Sequence, residues 1–449
     1  MTSWWFGWDD LRWPDPVIED KWLRRADAYR EIGVNAVTTF GVHFRWDWLN
    51  YFERYHAMLR RVTEICHEWG IAVIDHHSNQ LTHHIRSEAD RQHITTYQDH
   101  HLPLFPDSWG NQVINGKHLA DWRMISAKDG LPVYLNGYKA EAFCPNHPDY
   151  RDEYFRYLGK LVADTGVDGV MSDDTAFHPD IYACGCRFCR ERFQRLTGEG
   201  IPAAERTDFW GRNDNLLFQA YIRMRYESVN DFYRDVRAAL PSQTLLWGCC
   251  CTDPHPYKVR QGCSMEQWIN HFDAAFAEIY HGLDLDKDYD RILSELAVMS
   301  SLGAYNRKPA LILCYSDDPA TLRHWSELCA RFGALPWFCR QVRKIPVIYE
   351  DEILKEGYPH SAVTPMPDSC GVVYSRRLKD HLGEHDLSYY QAFIDTVGKC
   401  FANGQKPQII FDDFKPEHCR YQTIYAPFYE QLDPEMKDYL NSTRLEIIR

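Results

Sequence analysis

Short apolar runs alternate with longer stretches of helical period from the first residues onward. Trp4–Trp8 is an aromatic run of strand length, and Glu19–Ile32 places its apolar residues at helical spacing before stopping at Gly33. Asn35–Gly41 is β-branched and short, Tyr51–Trp69 is helical up to Gly70, and Ile71–His76 (IAVIDH) forms the next strand. Strands apolar on both faces, separated by amphipathic helices, belong to a parallel sheet covered by helices. The alternation resumes with a helix at Pro148–Asp164, a strand at Asp168–Ser172 and helices at Arg187–Leu196 and Asn213–Leu240. Further strands are expected at Thr244–Cys249, Phe272–Ile279, Ala310–Tyr315 and Ala334–Phe338, with helices Asp286–Ser300 and Pro319–Phe332 among them. The count reaches eight β/α units by about residue 340, which fits an α/β fold of the (β/α)8 TIM-barrel kind.

Two segments break this rhythm. Ser78–Tyr138 is long, polar and rich in His, Gly, Pro and Asn, as expected of a functional excursion on the active-site face of the barrel. Residues 341–368 hold four prolines and read as a connection. The expected division is a barrel over 1–345, a linker over 346–368, and a small open-sheet α/β domain of flavodoxin-like type over 369–449. That domain is built from strands Gly371–Ser375, Gln408–Phe411 and Thr423–Ala426 and helices Leu387–Ala402 and Pro434–Leu440.

Size and charge narrow the partners. A chain of 449 residues with 45% apolar content buries two cores. Its net charge of −14 argues against nucleic acid and against an anionic membrane surface. No apolar run reaches the ~18 residues of a membrane span, and the N-terminal MTSWWFGWDDLRWP lacks the basic and apolar regions of a secretory signal. Fifteen cysteines without such a signal point to a reducing compartment, hence a cytoplasmic protein with free thiols and a metal cluster. Fifteen Trp and 27 Tyr suit either stacking on sugar rings or a large aromatic core.

The chemistry concentrates between Phe143 and Phe193. Cys184, Cys186 and Cys189 form C-x-C-x-x-C, a spacing that lets three thiolates converge on one soft cation; Cys144 is the candidate fourth ligand. Four thiolates make a closed site, so structural Zn2+ is expected, with unligated buried thiols as the alternative. The strand over Asp168–Ser172 runs into Asp173 and Asp174, a carboxylate pair at the end of a barrel strand. Alternation along a strand lets only one of them face the barrel mouth; capping of the following turn is the other reading. Glycoside hydrolysis needs a second carboxyl group, and Glu278 at the end of an apolar strand is the first candidate, ahead of Asp317 and Asp318. The last two also suit the N-cap before Pro319. His43, His76 and His77 stand near strand ends as substrate-binding candidates, since imidazoles donate to and accept from sugar hydroxyls. Trp5 and Trp46 are candidate sugar platforms or core residues.

These motifs carry two resemblances. CPNHPDYRDEYFRYL and CGCRFCRERF resemble the zinc-cysteine segments of family-42 β-galactosidases, which implies Cys144, Cys184, Cys186 and Cys189 as zinc ligands. TIYAPFYEQLDPEMKDYL is similar to part of that family's trimerisation domain, implying a homo-oligomer, trimer or hexamer. The family ends its fourth strand in Asn-Glu, with Glu as acid/base; Asp173-Asp174 stands at that place here, and Cys314 stands where its nucleophile would be. DGVMSD, ending at Asp173, resembles the strand of family-29 α-L-fucosidases that ends in their aspartate nucleophile, in enzymes whose sugar site is rich in histidine. Together they imply a retaining glycoside hydrolase acting on a terminal sugar, with Asp173 as nucleophile and Glu278 as acid/base in one register, or Asp174 as acid/base in the other. A catalytically silent sugar-binding barrel and a metal-dependent hydrolase or isomerase using the histidines are the alternatives.

Overall fold

A computed structural model describes residues 1–97, 102, 112–250, 254–279, 287–339, 350–357 and 363–449. Eight parallel strands form the main sheet: β1 (Thr2–Trp5), β2 (Ala36–Phe40), β3 (Ala72–Ser78), β4 (Gly169–Asp173), β5 (Leu245–Trp247), β6 (Ala275–Ile279), β7 (Ala310–Tyr315) and β8 (Leu335–Cys339). Their order, β5-β4-β3-β2-β1-β8-β7-β6, is that of a (β/α)8 barrel. The seam between β5 and β6 is closed by Asp273: its amide donates to the Leu246 carbonyl at 2.8 Å, and its carboxylate accepts from the Leu246 amide at 2.8 Å. Gly169 opens β4 where Ile74 and Leu245 crowd in; a Cβ there would meet Ile74 Cδ1 at 2.8 Å.

The covering helices are α1 (Pro16–Ile32), α2 (Phe52–Glu68), α3 (Pro148–Thr165), α4 (Arg187–Thr197), α5 (Leu216–Ala239), α6 (Tyr289–Asn306), α7 (Pro319–Phe332) and α8 (Glu350–Gly357). Local chemistry sets their ends. Asp15 caps α1 ahead of Pro16, Asp318 caps α7 ahead of Pro319, and both helices stop at a left-handed glycine, Gly33 and Gly333. Helix α8 falls inside the stretch expected as linker and packs on α7. The excursion leaves the C-terminal end of β3, as expected. It contains an antiparallel sheet of Leu81–His83, Ala140–Ala142 and Tyr134–Leu135, and part of it lies outside the described residues.

The second domain is a parallel sheet of β9 (Asp368–Tyr374), β10 (Lys406–Phe411), β11 (Thr423–Tyr425) and β12 (Glu446–Ile448), in the order β10-β9-β11-β12. This is the flavodoxin-like arrangement, in which the first strand lies inside the second. Helices α9 (Arg376–Leu382), α10 (Ser388–Ala402) and α11 (Pro434–Ser442) accompany it. Helix α6 of the barrel packs against α10 and β10, and the amide of Ile409 donates to Ser301 Oγ at 2.9 Å across that contact. No helix among the described residues is long and apolar enough to cross a membrane.

Candidate active site

Strands β2, β3, β4 and β6 bring two histidines and three acids to the C-terminal mouth of the barrel. Alternation along β3 sends His76 one way and its neighbours Asp75 and His77 the other. His76 Nε2 stands 3.0 Å from Asp173 Oδ2, and its ring lies 4.5 Å from that of Phe40 and 4.5 Å from that of His43. Asp173 ends β4, and its other oxygen accepts the Asp174 amide at 2.7 Å. Asp174 adopts a left-handed backbone, φ 63°, and this turn undoes the strand alternation. Its carboxylate therefore also enters the mouth, 3.2 Å from His43 Nε2. The expectation that only one of the two aspartates faces the mouth is corrected by that turn.

Glu278 joins from β6. The Cys249 thiol donates to its Oε2 at 3.3 Å, and the Tyr315 hydroxyl at the end of β7 is hydrogen-bonded to it. Asp173 lies within electrostatic reach of both Asp174 and Glu278. Burial pushes the Asp173 carboxyl well above the usual carboxylate range; repulsion from Asp174 and Glu278 adds to this, and His43 opposes it. Burial works on Asp174 in the same direction, but the hydrogen bond and charge of His43 outweigh it and hold Asp174 low. Burial takes His76 down to about 4, so it is a neutral imidazole at neutral pH.

Other candidates are held away from this centre. His77 is wholly buried, with Nδ1 2.7 Å from Asp75 and Nε2 2.9 Å from the Tyr154 hydroxyl; it braces β3 against α3 instead of facing substrate. Trp46 is buried among Trp122, Phe143 and Tyr150, and its indole donates to the Asn79 carbonyl, so its rings belong to the core. Trp5 packs on Phe40 at 4.7 Å and backs the aromatic wall beside His76. Asp318 is the exposed N-cap of α7, with Thr321 N donating to it at 2.9 Å; Asp317 is half-buried just past β7.

Asn79 escaped the sequence reading. Its amide nitrogen lies within 2.8 Å of Ser172 Oγ, the Asp173 carbonyl and Thr175 Oγ1, and its oxygen accepts from Tyr150. It fixes the turn that presents both aspartates. An Asn just past a strand carries no signal of this, because the partners lie 71 to 96 residues away.

The four cysteines converge as their spacing suggested. Cys144, Cys184, Cys186 and Cys189 are buried, with sulfur atoms within 4.8 Å of one another. Cys144 Sγ lies 3.5 Å from both Cys189 and Cys186, too far for a disulfide and close to the ~3.8 Å edge of a tetrahedron with 2.3 Å metal–sulfur bonds. Asn146 Nδ2, Ile125 N and Cys186 N donate to the sulfurs at 3.3–3.4 Å, as suits thiolate charge. The donor set fits a closed metal site that ties the loop after β4 to the excursion.

No protein-family model matches the sequence, and none of the curated proteins is similar to it by sequence. Solved structures do share its fold. A β-galactosidase from the psychrophilic Marinomonas ef1 superposes with a TM-score of 0.66 at 11% identity, covering 99% of this chain and 74% of that one. A family-42 β-galactosidase from G. stearothermophilus gives 0.66 at 12%, covering 98% and 69%. The β-galactosidase of the haloarchaeon Halorubrum lacusprofundi gives 0.63 at 13%, covering 94% and 69%. At these identities the likeness defines a fold: a (β/α)8 barrel followed by an open α/β sheet. It extends over nearly the whole chain, the small domain included.

Proposed function

We propose that the protein is a glycoside hydrolase that releases a terminal sugar by a retaining, two-carboxylate mechanism. The convergence of Asp173 and Glu278 at the barrel mouth, flanked by His43 and His76, carries this reading. Both oxygens of Asp173 are engaged, by His76 and by the Asp174 amide, which orients the carboxylate for attack on the anomeric carbon. Glu278 then protonates the leaving oxygen and later activates water. The mechanism needs Asp173 as the ionised partner, against the upward push of burial and of the neighbouring acids. Asp174 stays ionised against His43 and stabilises positive charge on the ring in the transition state.

The fold likeness supports a β-D-galactoside as substrate, and the strand ending at Asp173 with its histidine neighbours supports an α-L-fucoside. Aryl versions of both, offered to the wild type and to Asp173→Asn and Glu278→Gln, test the reading. The expected outcome is release from one of them, reduced at least about a thousandfold in Asp173→Asn. Azide should rescue an alanine variant of each residue, giving the azide of opposite configuration at Asp173 and of retained configuration at Glu278. No release from any aryl glycoside favours a silent sugar-binding barrel. Structural Zn2+ at the cysteine cluster and homo-oligomerisation through residues 369–449 belong to the same proposal. Metal analysis should find about one zinc per chain, and sedimentation of a monomer would reject the assembly.

A further inference from the structure

The catalytic mouth has a property that sugar hydrolysis does not require. One ligand atom each from His43, His76 and Asp173 lie within 4.8 Å of one another. Ligands bonded at about 2.1 Å and at right or tetrahedral angles stand roughly 3.0–3.4 Å apart. His76 Nε2 and Asp173 Oδ2 are 3.0 Å apart, and His43 Nε2 and Asp174 Oδ2 are 3.2 Å apart, so both histidine–carboxylate pairs already have that spacing. The rings of His43 and His76 lie 4.5 Å apart, tilted at 45°. His76 and Asp173 sit on strands β3 and β4, and His43 lies in the segment that follows β2.

Charge points the same way. Among the described residues, the ion-pair partners of Asp173 and Asp174 are His76 and His43; no Lys or Arg lies within 4.0 Å of either carboxylate. His43, His76 and Asp173 form an N2O set, and the half-buried Asp174 carboxylate beside His43 adds negative charge to it. Borderline divalent ions satisfy such a set, whereas thiolates serve softer ones.

We propose that His43, His76 and Asp173 bind a divalent transition-metal ion at the barrel mouth, separate from the cysteine cluster, with the Asp174 carboxylate beside His43 adding charge to the site. The ion occupies the oxygen that would attack the sugar, so the metal-bound state is the inactive one. Metal and glycoside then compete for one site, and metal level sets the active fraction.

Co2+ titration of the full-length, zinc-loaded protein tests this. The cysteine cluster takes the first metal, and the expected result is one further equivalent of cobalt. Its spectrum should show visible d–d bands without the near-ultraviolet band of a thiolate ligand. His43→Ala and Asp173→Asn should each weaken the second equivalent at least about a hundredfold while keeping the zinc. Retained zinc and an unchanged thermal transition identify the variants that have folded. Should both misfold, displacement of the second cobalt by Zn2+ in the wild type, again without a thiolate band, decides. No second equivalent at millimolar cobalt, or uptake unchanged in both folded variants, overturns the proposal. The readout needs no substrate, so it stands apart from the glycosidase reading. If both hold, sugar release falls as the second equivalent fills; if only sugar release fails, the cobalt spectrum remains.

Discussion

Asp75 lies in the middle of β3 with none of its surface exposed. Arg45 Nη2 at 3.1 Å, His77 Nδ1 at 2.7 Å and the Tyr55 hydroxyl at 2.7 Å surround it. Burial alone would raise its carboxyl, but Arg45 and His77 more than compensate and hold it well below the usual range. Arg45→Met should therefore cost about 3–5 kcal/mol in urea unfolding, because it leaves a buried carboxylate without its cation. The double variant with Asp75→Asn should cost less than the sum of the single changes. A loss within about 0.5 kcal/mol would mean that the pair contributes nothing. This network also explains what could be read from the residues. Asp75-His76-His77 is a run of three polar residues in an apolar strand, and the sequence gives both histidines equal weight. Strand alternation separates them only once the phase is known, and then His76 faces the cavity while His77 faces helix α3. Asp174 was legible as an acid but not as a left-handed turn, since Asp adopts that backbone only occasionally and nothing in the sequence marks where.

At the scale of elements, capping decided where the reading was accurate. Ala310–Tyr315 and Pro319–Phe332 match β7 and α7 to the residue, because Asp318-Pro319 and Gly333 mark both helix ends. The first strand shifted from Trp4–Trp8 to Thr2–Trp5. Beyond it the chain turns through a 3-10 helix at Trp8–Arg12, whose first turn Asp10 holds by accepting the Gly7 amide. An aromatic run carries no mark of such a turn. Asp318→Ala tests the cap against a role in sugar binding: stability should fall by about 1 kcal/mol in chemical denaturation, with KM unchanged. A raised KM at unchanged stability would return Asp318 to the substrate site. The cysteine cluster joins the loop after β4 to Cys144, at the end of the excursion. Removing the proposed zinc with a chelator should expose the segment between β4 and α4 to protease while far-ultraviolet dichroism of the barrel persists. Equal protease resistance before and after stripping would show that metal does not hold that loop.

For the whole molecule, the eightfold alternation and the second sheet were legible because each strand is apolar and each helix amphipathic. The joint between the two domains was not, since its polar contacts pair residues over a hundred positions apart. Glu266 illustrates this. It lies between β5 and β6, fully buried, accepts the Asp413 amide at 3.1 Å and faces Arg376 at 3.7 Å. Burial raises its carboxyl to about 8; Arg376 opposes this, and Asp412 and Asp413 reinforce it. Asp412, on the same joint, is also raised by burial. A carboxyl raised on folding binds its proton in the native state and releases it on unfolding. Its contribution is therefore fully present below the unfolded value of about 4.5 and is lost as pH climbs through the folded value near 8. The joint should be tighter at pH ~6 than at pH ~8.5, opposite to the trend of an ordinary paired carboxylate. Glu266→Gln keeps the shape and the acceptor for Asp413 without the titrating proton. Across that interval it should hold its thermal midpoint while the wild type falls, the gap at the alkaline end reaching a few kcal/mol. Parallel pH profiles for the two proteins would mean that Glu266 stays ionised throughout, with Arg376 as a full ion-pair partner, and that the domains meet across a salt bridge instead of a buried neutral acid.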